Sequence, residues 1–151
     1  MMKNDLFNST FEMELRIAML LCTGEEHPFS LERILAMDFI ACYSKNFGFS
    51  DYNLHGDNSF MYGELSSRRG LIKEAIGPLV YRGIVEAKIN RGYLYQITDI
   101  GKEYISSLES EYSKEYRKTA EMVIKELDDY SDEELMRIIQ FKSDSEREGA
   151  V

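Results

Sequence analysis

Three groups of side chains in this sequence have types and spacings that could do chemistry. The first is Leu54-His55-Gly56-Asp57-Asn58, in which a histidine and a carboxylate stand two positions apart. Such a pair serves acid–base work or metal binding when further groups converge on it. A metal needs three or four ligands, and the other histidine, His27, belongs to a different segment. No nucleophile with an ordered base is evident, so His55 is expected to bond locally to backbone. The second group is Cys22 and Cys42. Each sits alone in an apolar helical pattern without metal-type spacing, and both read as buried free thiols. The third is basic: Arg68, Arg69, Lys73, Arg82, Lys88 and Arg91, with only Glu74 and Glu86 against them between positions 65 and 95. That segment carries +4 in a chain of net charge −9, which leaves −13 on the remainder. Three uses fit it: contacts to DNA phosphates, a solvated helix face paired with Glu64 and Glu74, or an interface for an acidic partner. Reading a base sequence needs polar side chains at base edges as well, and Ser66 and Ser67 are the obvious ones. Neither GxxxxGK[ST] nor GxGxxG occurs, so nucleotide hydrolysis is not expected. No catalytic, cofactor-binding or metal-binding residue is assigned.

These groups are carried by elements with clear start signals. Ser9 to Glu12 has the form of a capping box, and Phe11, Leu15, Ala18, Met19 and Cys22 follow at helical spacing toward a stop at Gly24. Ser30 opens a second helix, LERILAMDFIACYS, apolar almost all round and therefore central. KNFGFSDYNLHGDNSF is a loop by composition, and its aromatics predict that it packs on the body. A third helix from about residue 64 to 82 bears the basic residues on its outer part, with Leu65, Ile72, Ile76, Leu79 and Val80 inside. Pro78 removes a backbone donor and predicts a kink or a detached last turn. Gly70 and Gly77, one heptad apart, each cost about 1 kcal/mol relative to alanine and predict close approach by another backbone, within the chain or beyond it.

The period then changes from helical to alternating. IVEAKI, a turn at Asn90-Arg91-Gly92, and YLYQIT predict a β-hairpin. Thr98 and Asp99 start a short helix. EYSKEYRKTAEMVIKELDDY makes a longer one with Tyr112, Tyr116, Ala120, Val123, Ile124 and Leu127 inward, and Ser131 with Glu134 caps a last one, DEELMRIIQF. Three helices, a hairpin and further helices is the order of a winged helix-turn-helix: mainly α with a β-hairpin wing, an α+β class. The expected division is a winged-helix domain at 9–108, a C-terminal helical extension at 109–142 and a flexible tail at 143–151. Tyr104, Tyr112, Tyr116, Met122, Met136 and Phe141 on the later helices either pack against the winged domain or form a partner or dimer surface.

The 151 residues suit one domain with a modest core, and 44% apolar content is too high for a disordered chain. The acidity argues against a surface devoted wholly to nucleic acid. The first fifteen residues lack a signal-peptide shape, and no apolar run approaches a membrane span, so a cytoplasmic protein is expected.

NLHGDNSFMYGELSSRRGLIKEAIGPLVYRGIVE resembles the middle components of bacterial ABC-three-component systems, relatives of the Lamassu anti-phage defence operons. The resemblance rests on Leu54-His55, Gly63-Glu64-Leu65, Arg68-Arg69 and Arg82-Gly83-Ile84-Val85, and it covers residues 13 to 125. Pro78 departs from the uninterrupted helix expected there. The resemblance implies a non-enzymatic adaptor between an SMC-like ATPase and an effector, often a nuclease, with Arg68, Arg69 and Lys73 contacting double-stranded DNA or a neighbouring subunit. The alternative is a winged-helix transcription regulator that homodimerises through its C-terminal helices.

Overall fold

A computed structural model of the chain describes residues 9–149. Residues 1–8, part of the segment read above against a signal peptide, and residues 150–151 of the expected tail lie outside it. The first helix, α1 (Thr10–Thr23), begins as its capping residues predict: the Ser9 hydroxyl accepts from the Glu12 N–H at 3.2 Å. It stops where Gly24 donates its N–H to the Leu20 carbonyl. The second helix, α2 (Leu31–Cys42), is capped by Ser30 and buries every residue from Arg33 to Cys42. It is the central rod of the molecule. Phe47, Phe49 and Leu54 hold the following loop against the core, while Tyr52 and Phe60 stay exposed. A 3₁₀ turn (Met61–Glu64) then leads into α3 (Leu65–Tyr81).

The inner face of α3 differs from the expected one. Arg68, Ile72, Ala75, Ile76 and Leu79 are buried, whereas Val80 is 37% exposed and Leu65 is half-buried. Positions 68, 72, 75 and 79 follow the i, i+4, i+7, i+11 spacing of one helical stripe, and Val80 falls outside it. The helix runs through Pro78 without shedding a last turn. Pro78 lies close enough to the C-terminus that it forfeits only its own bond, and its carbonyl still accepts from the Arg82 N–H at 2.9 Å. Gly83, at φ 76°, then turns the chain.

The hairpin has the expected register: β1 (Val85–Ile89) pairs antiparallel with β2 (Tyr93–Ile97), Ala87 opposite Tyr95. Arg91 at φ 58° and Gly92 at φ 118° close the turn. A detail unreadable from the sequence is a bridge from the α1–α2 connection to β2. Phe29 and Tyr95 exchange both backbone hydrogen bonds at 2.8 Å, which ties the hairpin to the body. Thr98 caps α4 (Asp99–Ser106), and Ser110 caps α5 (Glu111–Leu127), whose Tyr116, Ala120, Val123, Ile124 and Leu127 are buried.

The last helix, α6 (Asp132–Gly149), opens with a reciprocal box: the Ser131 N–H donates to Glu134 and the Glu134 N–H to the Ser131 hydroxyl. It continues seven residues into the expected tail, where Glu146 accepts from Asn46 Nδ2 at 2.9 Å and from the Tyr62 hydroxyl. Helices α1, α2, α3 and α5 enclose the core, β2 closes one end against α1 and α2, and α6 lies along α2. Tyr104, Met122 and Met136 are half-buried and Phe141 is 75% exposed. No helix among the described residues is long and apolar enough to cross a membrane.

Candidate functional site

The densest collection of ionisable groups lies at the centre of the helical core. Arg16 of α1, Asp38 of α2, Arg68 of α3 and Tyr116 of α5 converge there, each at most 1% exposed. Asp38 accepts from Arg16 Nε at 2.9 Å, from Arg68 Nη1 at 2.9 Å and from the Tyr116 hydroxyl at 2.7 Å. Glu64, beside them, accepts from Arg68 Nη2 at 3.4 Å, from the Tyr43 hydroxyl at 2.8 Å and from Asn58 Nδ2 at 2.7 Å. Two cations and two carboxylates balance, which is the condition for burying such groups at all. The Arg68 guanidinium also stands 5.4 Å from the Tyr43 ring centre and 5.7 Å from that of Phe39.

Electrostatics fix the protonation states. Burial alone would raise the Asp38 carboxyl, but Arg16 and Arg68 outweigh it and hold it well below the usual carboxylate range. Burial, reinforced by the Asp38 charge, pushes the Cys42 thiol up to about 11 and the Tyr116 phenol well above its ordinary value. Arg68 Nη2 stands 3.3 Å from His55 Nδ1, and a guanidinium only donates, so Nδ1 accepts. Nε2 therefore carries the hydrogen and donates to the Tyr112 hydroxyl at 2.8 Å. His55 is 5% exposed and belongs to this network, which corrects the expectation of a loop histidine bonded locally to backbone. Asp57 is exposed, bonded to Asn53 and 3.6 Å from Lys45. Cys42 is buried and Cys22 half-buried. Among the described residues no cluster of three or more His, Cys, Asp or Glu is placed to hold a metal. Every buried side-chain N or O atom among them has a partner. The network clamps four helices in one arrangement; its accessible chemistry is small because its groups are committed to one another.

The basic edge does not survive as a unit. Arg68, expected outward, points into the core, which removes it from any direct contact with DNA or a partner in this fold. Arg69 forms a bidentate pair with Glu32, both bonds 2.9 Å. Arg82 pairs with Glu14 at 3.0 Å and Lys88 with Glu86 at 3.6 Å. Lys73 and Arg91 are exposed and make no ion pair among the described residues. The exposed residues of α3 are Ser66, Ser67, Gly70, Lys73, Glu74, Gly77, Pro78, Val80 and Tyr81, the last 92% exposed. Apart from the helix's own neighbouring backbone, no atom of the described residues lies within 4 Å of where a Cβ on Gly70 or Gly77 would stand. The expected close approach of another backbone therefore does not occur within the described chain.

Arg16 and Asp38 had a signal in the sequence that the reading passed over. Each is the single charge of an otherwise apolar run, LRIAMLLC and ILAMDFIAC, and the two have opposite signs. A lone charge in such a run calls for a buried partner. The family model described as MC2, ABC-three component (ABC-3C) system Middle Component 2, matches residues 6–148. No curated protein and no solved structure matches the chain.

Proposed function

The chain belongs to the Middle Component 2 family of ABC-three-component systems, and from that premise we propose that it is a non-enzymatic winged-helix adaptor subunit. It links an SMC-like ATPase to an effector, such as a nuclease, in a bacterial anti-phage defence complex. The family match over residues 6–148 carries the reading, since a middle component of a three-component system implies partner subunits. The winged-helix assignment rests on the order α1, Phe29 bridge, α2, α3, β1, β2, with the bridge supplying a short first strand beside the wing. Two further features favour a protein partner over DNA at α3. Three of the five accessible basic residues are neutralised on the chain itself, and the outward face of α3 is low in relief at Gly70 and Gly77.

The test is an affinity pull-down of the tagged protein expressed from its native operon, with co-purifying proteins identified by mass spectrometry. The expected eluate contains a large coiled-coil ATPase and the effector. Recovery of the chain without either operon-encoded protein, under conditions where both are expressed, overturns the adaptor role. Salt-sensitive binding to its own promoter would then put the transcription regulator in its place.

A further inference from the structure

Among the described residues the hairpin leaves one strand edge open, and the sequence along that edge is complementary to itself. Both backbone bonds of Tyr95 go to Phe29, on the side of β2 away from β1. In an antiparallel ladder the N–H and C=O of one residue point the same way. Ala87, opposite Tyr95, therefore directs its N–H and C=O away from β2, as do Val85 and Ile89 by alternation. Asn90 and Ile84 confirm the phase from each end, Asn90 donating to Gly92 across the turn and Ile84 accepting from Thr98. Residues 86–89 are exposed, Ile89 at 80%, while Val85 is buried.

We propose that this edge is a homodimer contact, in which β1 of a second copy pairs antiparallel with β1 about a two-fold axis at Ala87. An unpaired strand edge is a template for another strand, and an isologous contact requires the edge to fit itself. In Val85-Glu86-Ala87-Lys88-Ile89 it does. A two-fold at Ala87 sets Glu86 against Lys88 of the second copy, twice, on one face of the joined sheet, in exchange for the 3.6 Å Glu86–Lys88 pair inside each strand. On the other face it brings the exposed Ile89 beside the rim of the second copy's Val85. Main-chain bonds form between the two Ala87 residues, whose polar groups already point outward. Moving the axis by one residue, to Glu86 or to Lys88, opposes like charges. The charges therefore disfavour both neighbouring registers. This contact is separate from the C-terminal helices and does not rest on the adaptor reading.

Sedimentation of the purified full-length chain across a concentration series tests it. A concentration-dependent dimer is expected. Glu86→Lys alone, or Lys88→Glu alone, turns both cross-strand pairs repulsive and weakens the dimer at least about tenfold. The double variant Glu86→Lys/Lys88→Glu reverses both pairs and restores it. Ala87→Pro removes a donor that β1 does not use in pairing with β2, and abolishes dimerisation while leaving the circular dichroism of the monomer intact. A chain that stays monomeric at all concentrations overturns the proposal. So does a dimer that ignores the single charge variants, or one the double variant fails to restore. The charge series decides the question even where the proline variant is unstable.

Discussion

At Asp38 one carboxylate receives hydrogen bonds from three helices, and its two arginine partners are as deeply buried as it is. Removing the negative charge takes from Arg16 and Arg68 the buried carboxylate they share, so Asp38→Asn is expected to cost about 3–5 kcal/mol, measured by urea unfolding at neutral pH. Arg68→Glu, which the outward placement would have made a clean probe of DNA contact, instead sets a third carboxylate beside Asp38 and Glu64 and should unfold the protein. The folded Asp38 is held below its ordinary range, so its stabilisation is complete above the unfolded carboxylate value, about 4, and is lost as pH falls toward the depressed folded value. Between neutral pH and about pH 3 the wild type should therefore lose more stability than Asp38→Asn does. Equal losses in the two proteins would mean that the fold does not lower the Asp38 carboxyl below its unfolded value. The site was partly legible here. Helical spacing put position 68 on the inner stripe with Ile72, Ala75 and Leu79, but the presumption that arginine faces water overrode the period. The rule that fits is conditional: a charge on an inner stripe is buried when another stripe offers the opposite charge.

Among the elements, starts and stops were the most legible features, because capping is local chemistry. The side chains of Ser9, Ser30, Thr98, Ser110 and Ser131 all accept from the backbone of the helix each one opens. What local chemistry could not supply was contact between distant segments. The Phe29–Tyr95 bridge and the anchoring of Glu146 by Asn46 and Tyr62 join residues far apart in sequence, and the polar stretch 143–149 becomes helix through such contacts. Helix α3 shows the same division. Its glycines were readable as costs, yet their neighbours were not. With open space beside both, Gly70→Ala and Gly77→Ala should each raise stability by about 0.5–1 kcal/mol, additively, in thermal or urea unfolding. If the α3 face docks a partner subunit, the same variants lower its recovery in the pull-down. A gain in stability with unchanged recovery would place the docking face elsewhere. Gly101 makes the contrast, since a Cβ there would run into the Ile84 carbonyl and the Ile97 side chain.

For the whole molecule the open question was whether an acidic chain with one basic segment grips DNA. The charge total was correct, but it could not show which cations already have partners. Five of the six basic residues reach the surface, and Arg69, Arg82 and Lys88 are paired with Glu32, Glu14 and Glu86. Each phosphate contact contributes about −0.9 to the slope of log K against log salt on duplex DNA. All five residues acting together would give about −4.5, and Lys73 with Arg91 alone about −2. The −13 carried outside this segment opposes approach of a polyanion, and separating the three pairs sacrifices their attraction. The isolated chain should therefore bind double-stranded DNA weakly, without sequence preference, and with a slope no steeper than about −2 in a titration by fluorescence anisotropy. Lys73→Glu with Arg91→Glu should remove what binding there is, at no cost to stability, because neither side chain holds an ion pair among the described residues. A slope near −4.5 would mean that Arg69, Arg82 and Lys88 leave their carboxylates for phosphates, and would return the hairpin and α3 to DNA. A shallow slope would count against a DNA role for this segment and would accord with the proposed adaptor.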